Sequence, residues 1–352
     1  MKKMLALLLA LVMVLSLAAC ASSQPAATDA AASTETAETT ETTEATEPAA
    51  EEPAEAPAES GKTYTVGVCQ LVQHEALDAA TQGFVDALTE ELGDAVTVDV
   101  QNASGDSVNC GTIINGFVSK GVDLIMANAT PALTAAVSAT ADIPILGTSI
   151  TAYGVALDID DFNGTVGGNV SGTSDLADLQ AQAQMILDWF PETKTVGLLF
   201  CSAEPNSRYQ IDEVRKALEA QGVTCEEFAF TDSNDVSSVT QKAADFSDVV
   251  YLPTDNTAAS NTEAIANVLI PAGVPAICGE EGLCRGCGVA TLSISYYDLG
   301  VTTGKMAAKI LKGEADISTM PVEYTDATPK YNASVCEQLG ITPLDGYEAI
   351  DG

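Results

Sequence analysis

The sequence predicts an α/β protein of two similar lobes, each built on a parallel sheet covered by helices. Three observations predict it. From Lys62 onward, short apolar runs alternate with stretches of helical period, the pattern of a doubly wound parallel sheet. Thr65-Val-Gly-Val-Cys69 returns as Thr195-Val-Gly-Leu-Leu-Phe200, with the Val-Gly pair 130 residues on. The closing turn Pro144-Ile-Leu-Gly147 returns as Pro275-Ala-Ile-Cys-Gly279. One half is therefore a structural echo of the other.

Ahead of the lobes, Met1-Lys2-Lys3 and the apolar run 4–15 predict a secretory signal, too short for a stable membrane span. It ends in Leu17-Ala18-Ala19-Cys20, which resembles the lipobox of bacterial lipoproteins. That likeness implies a signal over 1–20 and lipid on Cys20, which anchors a protein without spanning the bilayer. Residues 21–61 are rich in Thr, Glu, Ala and Pro, with no lysine, arginine or aromatic residue. Such a segment cannot bury a core, and it is expected to be a disordered acidic tether.

In the first lobe the pattern gives a strand over 63–69 and a helix over 76–92, then a strand over 96–100 and a helix over 107–120. A strand over 122–127, a helix over 131–139 and a short strand over 143–146 complete it. The series restarts with a strand over 195–200 and a helix over 207–221. Strands over 225–230, 249–252 and 274–278 then alternate with helices over 236–244 and 258–270. A further strand over 290–294 and an amphipathic helix over 298–311 lead to the tail. The chain is expected to cross between lobes near residues 174, 291 and 322. Lobe one is then 62–174 plus 291–320, and lobe two 175–290 plus 321–352. A three-segment hinge of this kind bends while keeping the lobes in register.

The formal charge is −36, and residues 62–352 carry 12 bases against 40 acids. So acidic a body argues against nucleic acid and anionic lipid surfaces as partners. With one histidine, no nucleophile elbow, no phosphate loop and no metal-spaced His/Asp pair, the sequence points away from catalysis. No cofactor or metal is expected. Of nine cysteines, Cys278, Cys284 and Cys287 are clustered. Their spacing admits free thiols, a local disulfide, or part of a metal site that lacks a histidine nearby.

The working end is expected where strands run into helix N-termini. Val249-Val-Tyr-Leu252 reads as a buried strand broken at Pro253, after which Asp255-Asn256-Thr257 offers N-cap residues. The same design occurs at 123–132, with Asp123 corresponding to Asp248 and Thr130 falling where Asp255 does. Two such edges facing one another make a cleft, because open α/β sheets bind ligands at their carboxyl edge.

The motifs Val66-Gly-Val-Cys-Gln70, His74-Glu-Ala-Leu-Asp78, Gln101-Asn-Ala-Ser-Gly-Asp106, Ala129-Thr-Pro-Ala132 and Asn169-Val-Ser-Gly-Thr-Ser-Asp175 stand in the first half. Glu204-Pro-Asn-Ser207, Pro253-Thr-Asp-Asn256, Tyr296-Tyr-Asp-Leu-Gly300 and Gly304-Lys-Met306 follow. Over residues 63–325 the chain resembles substrate-binding lipoproteins of ABC importers, of the group that binds tryptophan, tyrosine or phenylalanine. The resemblance implies two Rossmann-like lobes of the type I periplasmic-binding-protein kind. It implies a monomer, lipid-anchored on the outer face of the membrane, that captures an amino acid and delivers it to a permease with its ATPase. Cys278-Gly-Glu-Glu-Gly-Leu-Cys-Arg-Gly-Cys287 departs from the family, where an acid followed by a basic Gly-Ala run is usual. The same fold also serves ligand-sensing receptors, and importers of nucleosides, sugars or branched-chain amino acids.

A free amino acid presents a carboxylate and an ammonium. For the carboxylate the candidates are the helix N-terminus at Thr130-Pro131-Ala132, with Thr148 and Ser149 on the neighbouring strand end. For the ammonium, Asp255 is the first candidate, ahead of Asp175 and Glu280. Asn206 and Asn256 stand at the same end. By the family likeness Gln70 and His74 line the side-chain pocket, with Tyr153, Tyr209 and Tyr296 as further ring partners. A helix cap is the competing role for Thr130 and Asp255.

Overall fold

The computed structural model describes residues 61–350; the predicted signal, Cys20 and residues 21–60 of the predicted tether lie outside them. The first half runs β1 (Tyr64–Gln70), α1 (Glu75–Leu92), β2 (Val96–Asn102), α2 (Ser107–Lys120) and β3 (Leu124–Asn128). It continues with α3 (Thr130–Ala139), β4 (Ile145–Ile150), the one-turn α4 (Tyr153–Ala156) and β5 (Val170–Ser174). After α5 (Leu179–Trp189) the second half runs β6 (Thr195–Cys201), α6 (Pro205–Glu219), β7 (Thr224–Phe230), α7 (Val236–Phe246) and β8 (Val249–Leu252). Next come α8 (Asn256–Ala259), α9 (Thr262–Ala272), β9 (Ala276–Cys278), α10 (Glu281–Cys287) and β10 (Ala290–Ser293). The tail comprises α11 (Tyr296–Leu311), β11 (Glu323–Tyr324), β12 (Thr328–Tyr331), α12 (Ala333–Leu339) and β13 (Glu348–Ala349).

The first sheet has the order β2-β1-β3-β4-β5 with β11 at its edge, and every pairing is parallel. The second has the same order, β7-β6-β8-β9-β10, all parallel, extended by β12, which is antiparallel to β10, and by β13. Apolar clusters cover both faces of each sheet, as parallel sheets require.

The repeated residues do the same work in both halves. Asp123 accepts from the Thr65 N–H at 2.7 Å, and Asp248 from the Thr195 N–H at 2.9 Å. Ile125 N–H donates to Pro144 O and Val250 N–H to Pro275 O, each at 2.9 Å. The Val-Gly pair is explained by close approach. A Cβ at Gly67 would stand 2.6 Å from the Phe117 ring, and one at Gly197 2.2 Å from the Ser247 hydroxyl.

Strand pairing moves two predicted crossings. The first lies at residues 175–178, between β5 and α5. The strand at 290–293 pairs with β9 and β12, so residues 291–293 belong to the second sheet and the crossing falls at 294–295, not near 291. β11 pairs with β5, so the chain leaves the first sheet only after Tyr324, at 325–327 rather than near 322. Hydropathy marks a strand but not which sheet completes its hydrogen bonds.

The helix expected over 258–270 is broken into α8 and α9. Asn261 N–H bonds Ala258 O at 2.9 Å and its side chain donates to Thr257 O at 2.7 Å, competing with continued helix. Residues 281–287, left open by the sequence, form α10. Cys278, Cys284 and Cys287 are buried free thiols in the second core, and among the described residues no group of three or more metal-ligating side chains is gathered.

After β10 the chain returns to the first lobe because α11 packs on α1 at backbone distance. A Cβ at Gly83 would lie 2.1 Å from Tyr297 O, and one at Gly300 2.0 Å from Ala80 O. Buried Phe84, Leu88, Met306 and Ala307 continue the contact. Alanine at a helical glycine ordinarily gains about 1 kcal/mol of helix propensity. Here the overlap is with a carbonyl oxygen and cannot be relieved by a rotamer. Gly300→Ala is therefore expected to destabilise by about 1–3 kcal/mol. Gly116→Ala in α2, with nothing within 4 Å of the new Cβ, is expected to stabilise instead. Urea unfolding of the two variants checks both signs.

Candidate ligand-binding cleft

The carboxyl ends of β1, β4, β5, β6, β8, β9 and β10 converge where the lobes meet. Between them lies a small cavity of about 10 Å³ lined by twelve residues. The first lobe contributes His74 and Leu77 at the start of α1, and Ser149 and Thr151 at the end of β4. The second contributes Asn206 in the first turn of α6, Thr254, Asp255, Asn256 and Ala259 around α8, and Glu280 after β9. Asp175 comes from the first crossing, and Tyr296 opens α11 directly after the second.

Three buried polar atoms of this lining have no partner: Ser149 Oγ, Asp175 Oδ1 and Asn206 Oδ1. Buried polar atoms are almost always hydrogen-bonded, so three around one cavity make it the candidate site for a polar molecule. Ser149 also has φ 56°, a left-handed conformation rare for a residue with a side chain, which turns it off the end of β4. The Asn206 amide is oriented by its Nδ2, which donates to Thr254 O at 3.0 Å and leaves the oxygen toward the cavity.

The carboxylates divide by what they already hold. Asp255 Oδ1 caps α8 by accepting from Ala258 N–H at 2.8 Å, and Oδ2 accepts from Cys201 N–H at 2.6 Å. Burial, with the nearby Glu204 charge, pushes its pKa up to about 8. Glu280 caps α10 by accepting from Gly282 N–H at 2.6 Å and Leu283 N–H at 2.5 Å, and burial raises it to about 7. Asp175 alone of these three keeps an uncommitted oxygen. Its Oδ2 accepts from the Tyr296 hydroxyl at 2.8 Å. Burial raises its pKa, opposed by the Tyr296 and Thr151 hydroxyls. The expected first candidate for an ammonium, Asp255, is thus a strut tying β6 to α8, and Asp175 is the acid with a free oxygen.

The lobes touch across the cavity. His74 Nε2 lies 3.2 Å from Asn256 Oδ1. Glu204 accepts from Asn256 Nδ2 at 2.7 Å, which turns the amide oxygen to His74 and makes Nε2 the donor. Glu204 also takes the N–H groups of Asn256 and Thr257 at 3.0 and 2.8 Å, so it fixes the start of α8. Beside this, Glu75 of α1 pairs with Arg285 of α10 at 3.1 Å.

Six expected site residues do not line the cavity. Gln70 is bound within its own lobe, donating to Val72 O and Asp78 and accepting from Thr81. Thr148 joins a buried hydroxyl chain through Thr173 to Thr303, at 3.1 and 2.9 Å, that fastens β4 and β5 to α11. Thr130 and Ala132 are packed in the first turn of α3. Tyr153 donates to Thr173 O and, like the half-buried Tyr209, lies beside another hollow. Sequence reasoning missed Leu77, Thr151, Thr254, Ala259 and the positioning residue Glu204. Glu204 directly precedes Pro205, the first residue of α6, a helix-start signal that could have found it.

Two lobes of one topology, joined by three crossings and meeting over a polar cavity, define the two-lobed binding-protein architecture. Residues 65–346 match the model of the ABC transporter substrate binding protein family, and the chain belongs to it. It is 32% identical over 276 residues to the tyrosine-binding protein of Clostridioides difficile, covering 77% of this chain and 79% of that one. It is similar to the solved ABC domain in complex with L-Trp from Streptococcus pneumonia, at 32% identity and TM-score 0.78, covering 82% of this chain and all of that one. A ligand-free, open substrate binding protein with adhesive properties from Clostridium difficile is 33% identical with TM-score 0.63, covering 82% and 99%. The fold is that of the type I periplasmic binding proteins.

The raised acids set a pH dependence. A carboxyl whose pKa is higher in the fold than in the unfolded chain adds stability that is complete below its unfolded value and lost as pH rises through the folded one. For Asp255 and Glu280 the window runs from about 4 to about 8 and about 7. Asp99, Glu227 and Asp248 are lowered by their partners, so their contribution is lost on the acid side instead. His74, lowered by burial, partly opposes the trend below its ordinary value. The melting temperature without ligand is expected to peak near pH 5, at about the crossover of these windows, and to fall toward pH 8.5. Calorimetry showing a flat or rising curve over that range would refute this.

Proposed function

We propose that this protein captures an aromatic amino acid between its lobes outside the cytoplasm and delivers it to an ABC permease. The observation that carries the proposal is the set of unpartnered Asp175 Oδ1, Asn206 Oδ1 and Ser149 Oγ around one cavity. Two acceptors, one of them a carboxylate, suit an ammonium, and the Ser149 hydroxyl suits a carboxylate. Leu77 and the rings of His74 and Tyr296 offer surface to the ligand's own ring. Relatives described as tyrosine-binding or in complex with L-Trp support the aromatic class. Domain closure about the crossings is part of the proposal. At nearly equal identity the chain superposes better on the L-Trp complex than on the open, ligand-free relative.

Titration calorimetry against the twenty amino acids, nucleosides and sugars tests this. Tryptophan, tyrosine or phenylalanine should bind best, with compaction seen by small-angle scattering. Asp175→Asn should weaken that binding by about 30-fold or more, as expected when a buried charge pair loses one partner. Asp255→Asn should weaken it less, its effect acting through the α8 cap. Equal affinity of Asp175→Asn and the unaltered protein would refute the assignment.

Membrane attachment through lipid on Cys20 is the second part. Cys20→Ala is expected to release the protein from the membrane fraction or leave its signal uncleaved. Normal processing and retention of that variant would rule the anchor out.

A further inference from the structure

The cavity is unequal in what it offers the two ends of a zwitterion. Asp175, Asp255 and Glu280 line it, and among its lining residues there is no lysine or arginine. Its side-chain donors are mostly committed. The Tyr296 hydroxyl donates to Asp175, Asn206 Nδ2 to Thr254 O, Asn256 Nδ2 to Glu204, Thr254 Oγ1 to Gly279 O, and His74 Nε2 to Asn256. Among the lining side chains, the Ser149 hydroxyl is the unpartnered donor. The unpartnered acceptors are Asp175 Oδ1 and Asn206 Oδ1, on side chains only 4% and 5% exposed.

We infer that the ammonium is the group this cavity anchors, and that primary arylalkylamines, which keep ring and ammonium but lack the α-carboxylate, are a second class of ligand. This rests on the function proposed above. Removing the carboxylate gives up its bond to Ser149, and it also takes a negative charge out of a site lined by three acids. Removing the ammonium instead leaves Asp175 Oδ1 and Asn206 Oδ1 buried without partners and keeps the repelling carboxylate. Burial is the main cause of the raised pKa of Asp175, Asp255 and Glu280, and an ammonium placed among them favours their charged forms.

The test is calorimetric titration of the full chain in detergent with three matched sets. Each holds an aromatic amino acid (tyrosine, tryptophan or phenylalanine), its decarboxylated amine and its deaminated propionate. For the amino acid that binds best, the amine is expected within about 30-fold of its Kd, while the propionate gives no measurable binding. Asp175→Asn should weaken the amine at least as much as the amino acid. An amine weaker by more than this margin, a propionate inside it, or an amine indifferent to Asp175→Asn overturns the inference and leaves the amino-acid proposal standing. If none of the amino acids binds, the parent proposal falls and this one with it.

Discussion

The backbone-to-backbone contact of α1 with α11 is the constraint on which the rest of the structure depends. Gly83 and Gly300 let the two helices approach until a methyl group would overlap a carbonyl oxygen. That contact brings the chain back to the first lobe after it has built the second sheet. Without the return there would be a single crossing, and the lobes would be free to swivel. With it, Tyr296 opens α11 beside Asp175, and the first crossing is hydrogen-bonded to the start of α11 at the edge of the cavity. The Thr148–Thr173–Thr303 chain fastens the same helix to the sheet from within.

A second constraint is the cost of burying carboxylates. Asp175, Glu204, Asp255 and Glu280 are each under one-tenth exposed and gather near one small space. Burying charge without compensation costs several kcal/mol. The fold meets most of that cost with backbone N–H groups at helix starts, where the helix dipole favours negative charge. Glu204 holds the start of α8, Asp255 caps it, and Glu280 caps α10. What remains uncommitted is one oxygen of Asp175, and the chemistry of the site follows from that remainder.

The lobes themselves are joined across the cavity mouth by modest bonds. His74 to Asn256 is a single hydrogen bond at 3.2 Å, and the Glu75–Arg285 pair is partly exposed. Neutral hydrogen bonds contribute about 0.5–1.5 kcal/mol net and exposed ion pairs about 0–1 kcal/mol. Contacts of that size suit the closure proposed above: they are weak enough for a bound molecule that satisfies three buried polar atoms to tip the balance.

The sequence by itself determined the alternation of strands and helices, the duplicated design and the edge at which the cavity forms. These depend on local periodicity and on residues whose reason is local: the Val-Gly pairs under a close helix, Asp123 and Asp248 at equivalent strand starts, and the caps after β8 and β9. Eight expected residues, among them His74, Ser149, Asn206 and Glu280, do meet at the cavity. Which acid is left free was not legible, because Asp255 and Asp175 carry the same carboxylate. The difference is made by the Cys201 N–H, 54 residues away in the chain, which occupies the second oxygen of Asp255. The sheet to which residues 290–293 belong was likewise settled by pairing with β9 and β12. Gln70, Thr148, Thr130 and Ala132 sit at the predicted strand and helix ends but turn into the protein, since partners distant in sequence claim them or packing encloses them. Hydrogen-bond commitment is a property of the assembled fold, and only the tertiary structure decided it.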